Sequence, residues 1–504
     1  MKKTIMGEKK FKKNSFLIYA LLFALVCRIL VAITANSDQS RYIDPDSNDY
    51  IELANHMVTG DGYTKGEEPE IFRAPGYPFF LVPFRKIFPN KHFPVILIQI
   101  ILSVSTIFIL WHLAIIVEKG NIQIAKFAVL FQTLTLTSVV FSNKILSETL
   151  FTFLMITSLL LLELSIKSEN IAEEEMKTRK ISYSRIFAIL AGSVAAITLM
   201  VRAILLPILP LFVAYILFRI IFPYEKNTKQ TDLTDDIEQL SSDEVKIKAR
   251  DVSNYKWETV ISATILALIF LMPILLAYGS WRYRNTTSAN FAGFSSVGQI
   301  NIYRYYACLL LAKNNGITFD KQQAICTEEL VAQGTQSKQA EYAMKKGVPI
   351  LLKEPIRYFF LHLKTDISSL LPDVGDLYRL IGFEIGGSGT LSVIRSQGIL
   401  AGVKHYFNGR WRLFILALPL VALMFVKFTA ATVGATLTFK SPARITLLFY
   451  VVIILYMLIV PGGVSHPRFR VPVEPLLSFL AAYGLVLGID FIRKRGENSA
   501  QSPL

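Results

Sequence analysis

The sequence predicts an all-α polytopic membrane protein with about ten transmembrane helices and interfacial helices in its outer loops. The chain has 504 residues, of which 52% are hydrophobic and only 18% are charged, with a mean hydropathy of +0.44. Soluble domains carry about 25% charged residues. The basic residues behind the net charge of +15 cluster at the ends of apolar runs, as membrane topology requires. These observations exclude a disordered chain, an ordinary cytosolic enzyme and a nucleic-acid-binding protein.

Ten segments are apolar enough to cross the hydrocarbon core of a bilayer, which takes about 20 residues. The stretch 186–222 is too long for a single crossing, and Arg202, Pro207 and Pro210 interrupt it, which predicts a hairpin near Arg202. The predicted spans are 16–35, 93–117, 124–141, 149–166, 186–201, 204–222, 258–279, 412–428, 444–461 and 472–491.

Lysine and arginine predict the orientation of these spans. Basic residues are concentrated in the tail 1–14, in loops 167–185 and 219–256, and in Arg493-Lys494-Arg495. The positive-inside rule therefore predicts a multi-pass protein of the plasma (inner) membrane with both termini in the cytoplasm. Segments 36–92, 142–148 and 280–411 then face outward. A cleaved signal peptide is the alternative for the first span, but cleavage would remove the helix that anchors the first outer loop.

This topology divides the chain into five parts. Residues 1–222 form an N-terminal transmembrane module that includes the outer loop 36–92, and residues 223–257 form a cytoplasmic linker. A transmembrane helix over 258–279 leads into a long outer loop, 280–411. Residues 412–504 supply the C-terminal transmembrane helices and a basic cytoplasmic tail.

Acidic and aromatic residues cluster in the first outer loop. Asp46 and Ser47 suit a helix N-cap, and Tyr50 follows at helical spacing. A helix cap with solvated acids is the alternative to a functional site. Asp44-Pro45-Asp46 is also a D-x-D string, which elsewhere can hold a metal on a nucleotide sugar. Nucleotide sugars are cytosolic, whereas this loop is predicted to lie outside, so we discount that use.

Several charged residues stand at predicted outer helix ends. The planar guanidinium fork of Arg73, beside a rigid Pro-Gly turn, suits a phosphate, and an interfacial anchor is the alternative. The same two interpretations apply to Arg284, Arg468 and Arg470. Glu148 could position an acceptor or a cation, or simply cap its helix with Ser147. Arg28 lies inside the first span, so we expect a structural partner in the bundle.

Six short motifs fall on the predicted outer side. They are the Asp46–Tyr50 stretch, Gly60-Asp61-Gly62, Arg73-Ala74-Pro75-Gly76-Tyr77-Pro78, Ser147-Glu148-Thr149-Leu150-Phe151, Trp281-Arg282-Tyr283-Arg284-Asn285, and Arg468 through Pro475. Together they resemble the GT-C-fold glycosyltransferases that use polyprenyl-phosphate sugars, in particular bacterial relatives of protein O-mannosyltransferases and of the lipid A aminoarabinose transferase. The resemblance runs from about residue 16 to 491.

The resemblance implies transfer of a sugar from a polyprenyl-phosphate donor to an extracytoplasmic glycan, lipid or protein. Asp46 matches the family's catalytic acidic position and is the expected base, with Asp44 as the runner-up. If the acceptor is itself a phosphate, no base is needed, and Asp46 would orient or bind a substrate instead of accepting a proton. Arg73 matches a basic position that contacts donor phosphate in the aminoarabinose branch.

The remaining candidates have less specific roles. Arg284, Arg468 and Arg470 are additional candidates for binding donor phosphate. Asp44, Glu148 and Tyr50 are candidates for the acceptor or a metal, with a divalent cation as an option and no other cofactor implied.

Two other functions compete with glycosyl transfer. A flippase or transporter of lipid-linked sugars would favour charges at mid-span, but only Arg28 is clearly intramembrane, which disfavours this function. An O-antigen ligase or polymerase usually has its long outer loop nearer the C-terminus, and the acidic first loop disfavours it. The sequence contains no P-loop and no H-E-x-x-H motif. Cys308 and Cys326 could form one disulfide bridge if their loop faces an oxidising compartment.

Overall fold

The computed structural model describes residues 2–175, 178–223, 242–386, 390–462 and 466–500. Over these residues the protein is helical apart from short turns and one antiparallel pair of two-residue strands, β1 (Thr64–Lys65) and β2 (Glu68–Pro69). Eight helical segments are long and apolar enough to cross a membrane: Ser15–Ala35, Phe93–Val117, Glu148–Asn170, Tyr183–Val201, Ala203–Ile221, Trp257–Ala289, Trp411–Leu437 and Pro467–Arg493. The predicted all-α polytopic architecture is confirmed.

The helices follow one another along the chain with short connections. The N-terminal half contains α1 (Lys2–Ala35), α2 (Pro45–Thr59), α3 (Gly76–Ile87), α4 (Phe93–Val117), α5 (Ile122–Thr133), α6 (Leu136–Phe141), α7 (Glu148–Glu175), α8 (Thr178–Val201) and α9 (Leu209–Ile221). The rest contains α10 (Ser242–Ala289), α11 (Val297–Asn301), α12 (Cys308–Asn314), α13 (Phe319–Val331), α14 (Gln336–Lys353), α15 (Pro355–Asp366), α16 (Val374–Leu380), α17 (Thr390–Gln397), α18 (Ile399–Tyr406), α19 (Trp411–Leu437), α20 (Arg444–Ile459) and α21 (Glu474–Ala500). A π-helical turn, Ile302–Ala307, precedes α12, and 3₁₀ turns cover Gln39–Tyr42, Ala203–Ile208, Ile367–Leu370, Thr438–Lys440 and Pro467–Val473.

Two of the ten predicted spans are shorter than expected. The predicted span 124–141 is interrupted between α5 and α6, where Thr135 has extended backbone angles and its hydroxyl donates to the carbonyl of Phe131 at 2.7 Å. The predicted span 444–461 is α20, which has 16 residues. The break predicted at Arg202 is confirmed, because this residue has φ −148° and ψ 122° between α8 and the turn that opens α9.

The predicted cytoplasmic linker falls partly outside the described residues, which omit 224–241. From Ser242 onward the chain is helical and continues without interruption into the span that begins at Trp257. Within the predicted outer segment 280–411, residues between Phe291 and Ala343 form a small hydrophobic core together with Ile71 of the first loop. Cys308 and Cys326 are buried in that core, both as free thiols.

The C-terminal span packs closely against α19. A Cβ on Gly434 would lie 2.0 Å from the carbonyl oxygen of Leu480, and one on Gly484 would lie 2.1 Å from that of Ala430. Only glycine permits this backbone approach, a common device between transmembrane helices. The contact fixes α21 and the Pro467–Val473 turn that precedes it.

The buried arginine of the first span has a partner within the bundle, as predicted. Nε of Arg28 donates to Oγ of Ser103 on α4 at 2.9 Å, and Nη1 donates to the carbonyl of Ala24 at 3.1 Å. Its side chain is therefore structural, and it helps to join α1 to α4.

Candidate active site

The acidic residues of the first loop lie at the start of α2. Asp44 occupies the N-cap position, and its N–H donates to Oγ of Ser47 at 2.9 Å. Asp46 is therefore not the N-cap residue, whereas Ser47, predicted with it, takes part in the cap through its hydroxyl. Asp46 instead lies in the first helical turn, where the positive end of the helix dipole favours a carboxylate. Its side chain does not cap the helix and contacts residues of other segments instead.

The carboxylate of Asp46 is held between two arginines. Nη2 of Arg73 lies 2.7 Å from Oδ1, and Nη1 of Arg468 lies 2.7 Å from Oδ2. Burial alone would raise the pKa of Asp46, but the charges of Arg468 and Arg73 lower it to about 2. Two residues predicted to bind phosphate thus converge on the residue predicted to be the base.

Arg73 is fixed by a second carboxylate. Its Nε and Nη2 lie 3.1 and 2.8 Å from Oδ2 of Asp49, whose other oxygen accepts from Nζ of Lys65 at 2.8 Å. The guanidinium lies over the rings of Tyr50 and Phe72, 5.2 and 5.1 Å from their centroids. Burial lowers the pKa of Arg73, but the neighbouring Tyr50, Asp46 and Asp49 raise it above its usual value. The side chain is therefore a permanent cation with a defined orientation.

Two hydrogen bonds and one close packing contact fix the turn that carries Arg73. The N–H of Arg73 donates to Oε1 of Glu70 at 2.7 Å, and its carbonyl accepts from the hydroxyl of Tyr63 at 2.9 Å. The following turn packs against the end of α8, where a Cβ on Gly76 would lie 2.6 Å from the carbonyl carbon of Met200. This explains the Pro-Gly sequence after Arg73, because a larger residue would displace the turn.

Lys144 forms a second ion pair with the start of α2. Its Nζ lies 3.0 Å from Oδ1 of Asp44, and its side chain is 4% exposed. The carbonyl of Lys144 accepts from Nε2 of Gln99 at 2.6 Å, and Oε1 of Gln99 accepts from the hydroxyl of Tyr77 at 2.7 Å. Sequence reasoning missed Lys144, although a lysine in a short turn on the predicted outer side departs from the positive-inside pattern.

Glu148 is also ion-paired. Its Oε1 lies 2.8 Å from Nη1 of Arg202, at the break between α8 and α9. The Arg202 guanidinium lies 5.9 Å from the ring centroids of both Phe151 and Phe469. The hydroxyls of Ser147 and Tyr50 lie 3.4 Å apart, so Glu148, Tyr50 and Arg73 belong to one contiguous polar region.

The structure does not bring the other two predicted phosphate ligands to Asp46. Arg284 donates to the carbonyls of Glu70 at 2.7 Å and Tyr63 at 2.6 Å, so it supports the backbone of the first loop. Arg470 is buried and donates to Oε1 of Glu474 at 2.6 Å. Both guanidiniums bind groups of the protein away from Asp46, and their roles as phosphate ligands stay predictions.

A divalent cation fits this group of residues poorly. Within the described ranges, no three His, Cys, Asp or Glu side chains converge in a way that could hold a metal. Both oxygens of Asp46 already face guanidiniums, so a dication there would meet two positive charges.

The sequence matches no protein-family model and no curated protein. Among solved structures it is similar to the oligosaccharyltransferase AglB from Archaeoglobus fulgidus, solved in complex with an inhibitory peptide and a dolichol-phosphate. The TM-score is 0.48 and the identity 14%, over 98% of this chain and 53% of that one. The chain thus spans about half the length of AglB.

A second similar structure is ArnT from Cupriavidus metallidurans bound to undecaprenyl phosphate. Here the TM-score is 0.36 and the identity 13%, over 92% of this chain and 77% of that one. Both proteins are GT-C-fold glycosyltransferases, and both TM-scores lie below 0.5.

Proposed function

We propose that this protein is a membrane glycosyltransferase that moves a sugar from a polyprenyl-phosphate donor to an extracytoplasmic glycan, lipid or protein. The observation that carries the proposal is the contact of one carboxylate, Asp46, with two arginines from distant segments, Arg73 and Arg468. In the proposed topology both termini are cytoplasmic and this group lies at the outer face of the membrane.

The reaction we propose needs an acid–base group and cations side by side. The acceptor oxygen forms a bond to the anomeric carbon of the sugar, and the bond from that carbon to the phosphate oxygen breaks. The electron pair leaves with the polyprenyl phosphate, whose charge Arg73 and Arg468 stabilise. Asp46 takes the proton of the acceptor hydroxyl.

The proposed roles of the arginines and of Asp46 are coupled. With both guanidiniums in contact, Asp46 has a pKa of about 2 and is a weak base. When Arg73 and Arg468 turn toward a donor phosphate, the carboxylate loses part of its positive surroundings and its basicity rises. Donor binding thus prepares the base. If the acceptor is itself an anion, no base is required, and Asp46 serves to orient the arginines before the donor arrives.

The test is turnover of a defined donor. Purified protein in lipid bilayers is given a panel of radiolabelled polyprenyl-phosphate sugars together with candidate acceptors. The proposal predicts that one donor loses its sugar to water or an acceptor and leaves polyprenyl phosphate. Movement of intact lipid-linked sugar across the bilayer without cleavage would instead identify a flippase.

A further inference from the structure

The backbone before Arg73 is also bound by a side chain of the long outer loop. Gln336 is the first residue of α14, and its side-chain amide lies against the residues that precede Arg73. Oε1 of Gln336 accepts hydrogen bonds from the N–H groups of Ile71 and Phe72, both at 3.0 Å. Nε2 donates to Oε2 of Glu70 at 3.0 Å. One side chain thus binds three consecutive residues of the first loop.

The orientation of this amide follows from its partners. An amide nitrogen placed against the N–H groups of Ile71 and Phe72 would set donors against donors, and the amide oxygen would then face the carboxylate of Glu70. The observed orientation avoids both conflicts. A carboxylate at position 336 would accept from the two N–H groups but would have no proton to donate to Glu70 at neutral pH.

Glu70 connects the amide of Gln336 to Arg73. The side chain of Glu70 is 1% exposed, and its Oε1 accepts from the N–H groups of Phe72 and Arg73, the second at 2.7 Å. Removal of the amide would leave Oε2 of this buried carboxylate without its amide donor. Because buried polar atoms are rarely left without partners, the turn would then shift to find another donor.

The carbonyl groups of the same backbone are bound by the long outer loop as well. The carbonyl of Ile71 accepts from the N–H of Ser296 at 2.9 Å, and that of Phe72 accepts from the hydroxyl of Ser295 at 2.7 Å. Donors and acceptors of these two residues therefore both have partners outside the first loop. These bonds fix a stretch that has no regular secondary structure of its own.

The position of this backbone decides where the guanidinium of Arg73 lies. The side chain reaches from the turn to Asp46, where Nη2 lies 2.7 Å from Oδ1. Charge-assisted hydrogen bonds depend on distance and angle, so a displacement of about 1 Å at the turn would misalign the guanidinium with a phosphate as well. A residue that holds the turn can therefore change phosphate affinity without contacting the phosphate.

We propose that Gln336 is a positioning residue of the donor site, which acts through Glu70 and the backbone of residues 71–73 to orient the guanidinium of Arg73 toward the donor phosphate. This inference rests on the proposed function, because it takes Arg73 as a ligand of that phosphate. It makes the start of α14, in the long outer loop, a determinant of donor binding.

The experiment is a double-mutant cycle on phosphate affinity. Undecaprenyl phosphate is titrated into the full-length protein in lipid nanodiscs. We expect Gln336→Ala to weaken binding by about three- to tenfold, the range for a single net hydrogen bond. In the Arg73→Ala background the same substitution should change affinity by less than about twofold, because no guanidinium remains to be oriented. A purely structural role would weaken binding in both backgrounds.

An exchange of two side chains tests the contact between Gln336 and Glu70 directly. Gln336→Glu alone puts two carboxylates in contact and should weaken phosphate binding. Adding Glu70→Gln restores one amide and one carboxylate with their positions exchanged, and affinity should return to within about twofold of the unmodified protein. This rescue decides the proposal if Gln336→Ala fails to fold.

Gln339→Ala is the matched control on the same helix. Nε2 of Gln339 donates to the carbonyl of Gly334 at 2.6 Å and not to the first loop. Its removal should leave phosphate affinity within about twofold of that of the unmodified protein.

The outcomes separate this inference from the proposed function. If Arg73→Ala weakens phosphate binding but Gln336→Ala does not, the inference is overturned and the donor role of Arg73 stands. Equal losses from Gln336→Ala in both backgrounds, or no rescue by Glu70→Gln, would also overturn the inference alone. Absence of phosphate binding by the unmodified protein, or equal binding by Arg73→Ala, would overturn the donor role of Arg73 together with the inference.

Discussion

Nη1 of Arg468 lies 2.7 Å from Oδ2 of Asp46, which joins the turn before the last membrane span to the first predicted outer loop. Arg73 reaches the other oxygen of the same carboxylate from the end of that loop. One acidic side chain therefore forms ion pairs with arginines from two segments that are far apart in the sequence. The electrostatic consequence is a carboxylate that stays ionised well below neutral pH and that holds two cations in position.

The first prediction concerns the pH dependence of the reaction. In the free protein the pKa of Asp46 is about 2, so the carboxylate stays charged as the pH falls to about 4. Asp46 should therefore cause no decrease of kcat/KM above about pH 4. If donor phosphate draws Arg73 and Arg468 away, the pKa rises in the complex. The acid limb of kcat, measured at saturating donor, should then lie at a higher pH. Acid limbs at the same pH in the kcat/KM and kcat profiles would contradict the movement of the two arginines toward the donor phosphate.

The second prediction concerns the donor phosphate. Arg73→Ala should weaken donor binding by about 10- to 100-fold, the range for a charged hydrogen bond. Arg73→Lys should weaken it less, because lysine keeps the charge but loses the planar fork. The measurement is the donor dissociation constant in lipid nanodiscs.

Arg85→Ala is the matched control for this series. Arg85 lies on α3 and donates to Asn55, outside the group around Asp46. Its removal should leave donor affinity within about twofold. Equal donor affinity in the unmodified protein and in Arg73→Ala would reduce Arg73 to an interfacial anchor.

A third prediction concerns the buried pair of Lys144 and Asp44. Because the two groups are 3.0 Å apart and Lys144 is buried, Lys144→Met and Asp44→Asn should not act independently on stability. A double-mutant cycle by thermal unfolding should give a coupling of about 1 kcal/mol, within the range for contacting residues. Additive effects would mean that the pair does not tie α2 to the turn before α7.

The fourth prediction concerns sidedness. Reporter fusions at Lys65 and Gln333 should score as extracytoplasmic, and a fusion at Asp235 should score as cytoplasmic. These outcomes follow from the distribution of basic residues along the chain. A cytoplasmic score at Lys65 would invert the topology and put Asp46 on the wrong side for a lipid-linked donor at the outer surface.

Much of the fold was accessible from sequence because membrane spans are long, apolar and bounded by charge. The break at Arg202 could be predicted because prolines follow it closely. The break at Thr135 could not, because the run 124–141 contains no proline or glycine that would mark it. Helix α20 was predicted two residues longer than the structure has it, since hydropathy continues past the point where the helix ends.

The contacts within the site were harder to predict from the sequence, because motifs identify residues but not which of them are in contact. Arg468 and Arg470 are two positions apart in one motif, yet one reaches Asp46 and the other a buried glutamate. Both residues lie in the 3₁₀ turn Pro467–Val473, which has about three residues per turn, so side chains two positions apart point in different directions. Asp49 lies within the Asp46–Tyr50 motif and Lys144 lies outside every motif, and only the folded arrangement reveals their contacts with Arg73 and Asp44.

The most direct test of the proposed role of Asp46 is the initial rate of sugar transfer by Asp46→Asn at saturating donor, compared with Asp44→Asn and Asp49→Asn at equal membrane levels. Asparagine keeps the size of the side chain but cannot accept a proton at neutral pH. We predict that Asp46→Asn loses about 10²–10⁴-fold in rate, the usual contribution of a general base, and still binds donor. The other two variants should be milder. A near-normal rate in Asp46→Asn would contradict the assignment, and activity in all three variants would show that this loop is not the catalytic one.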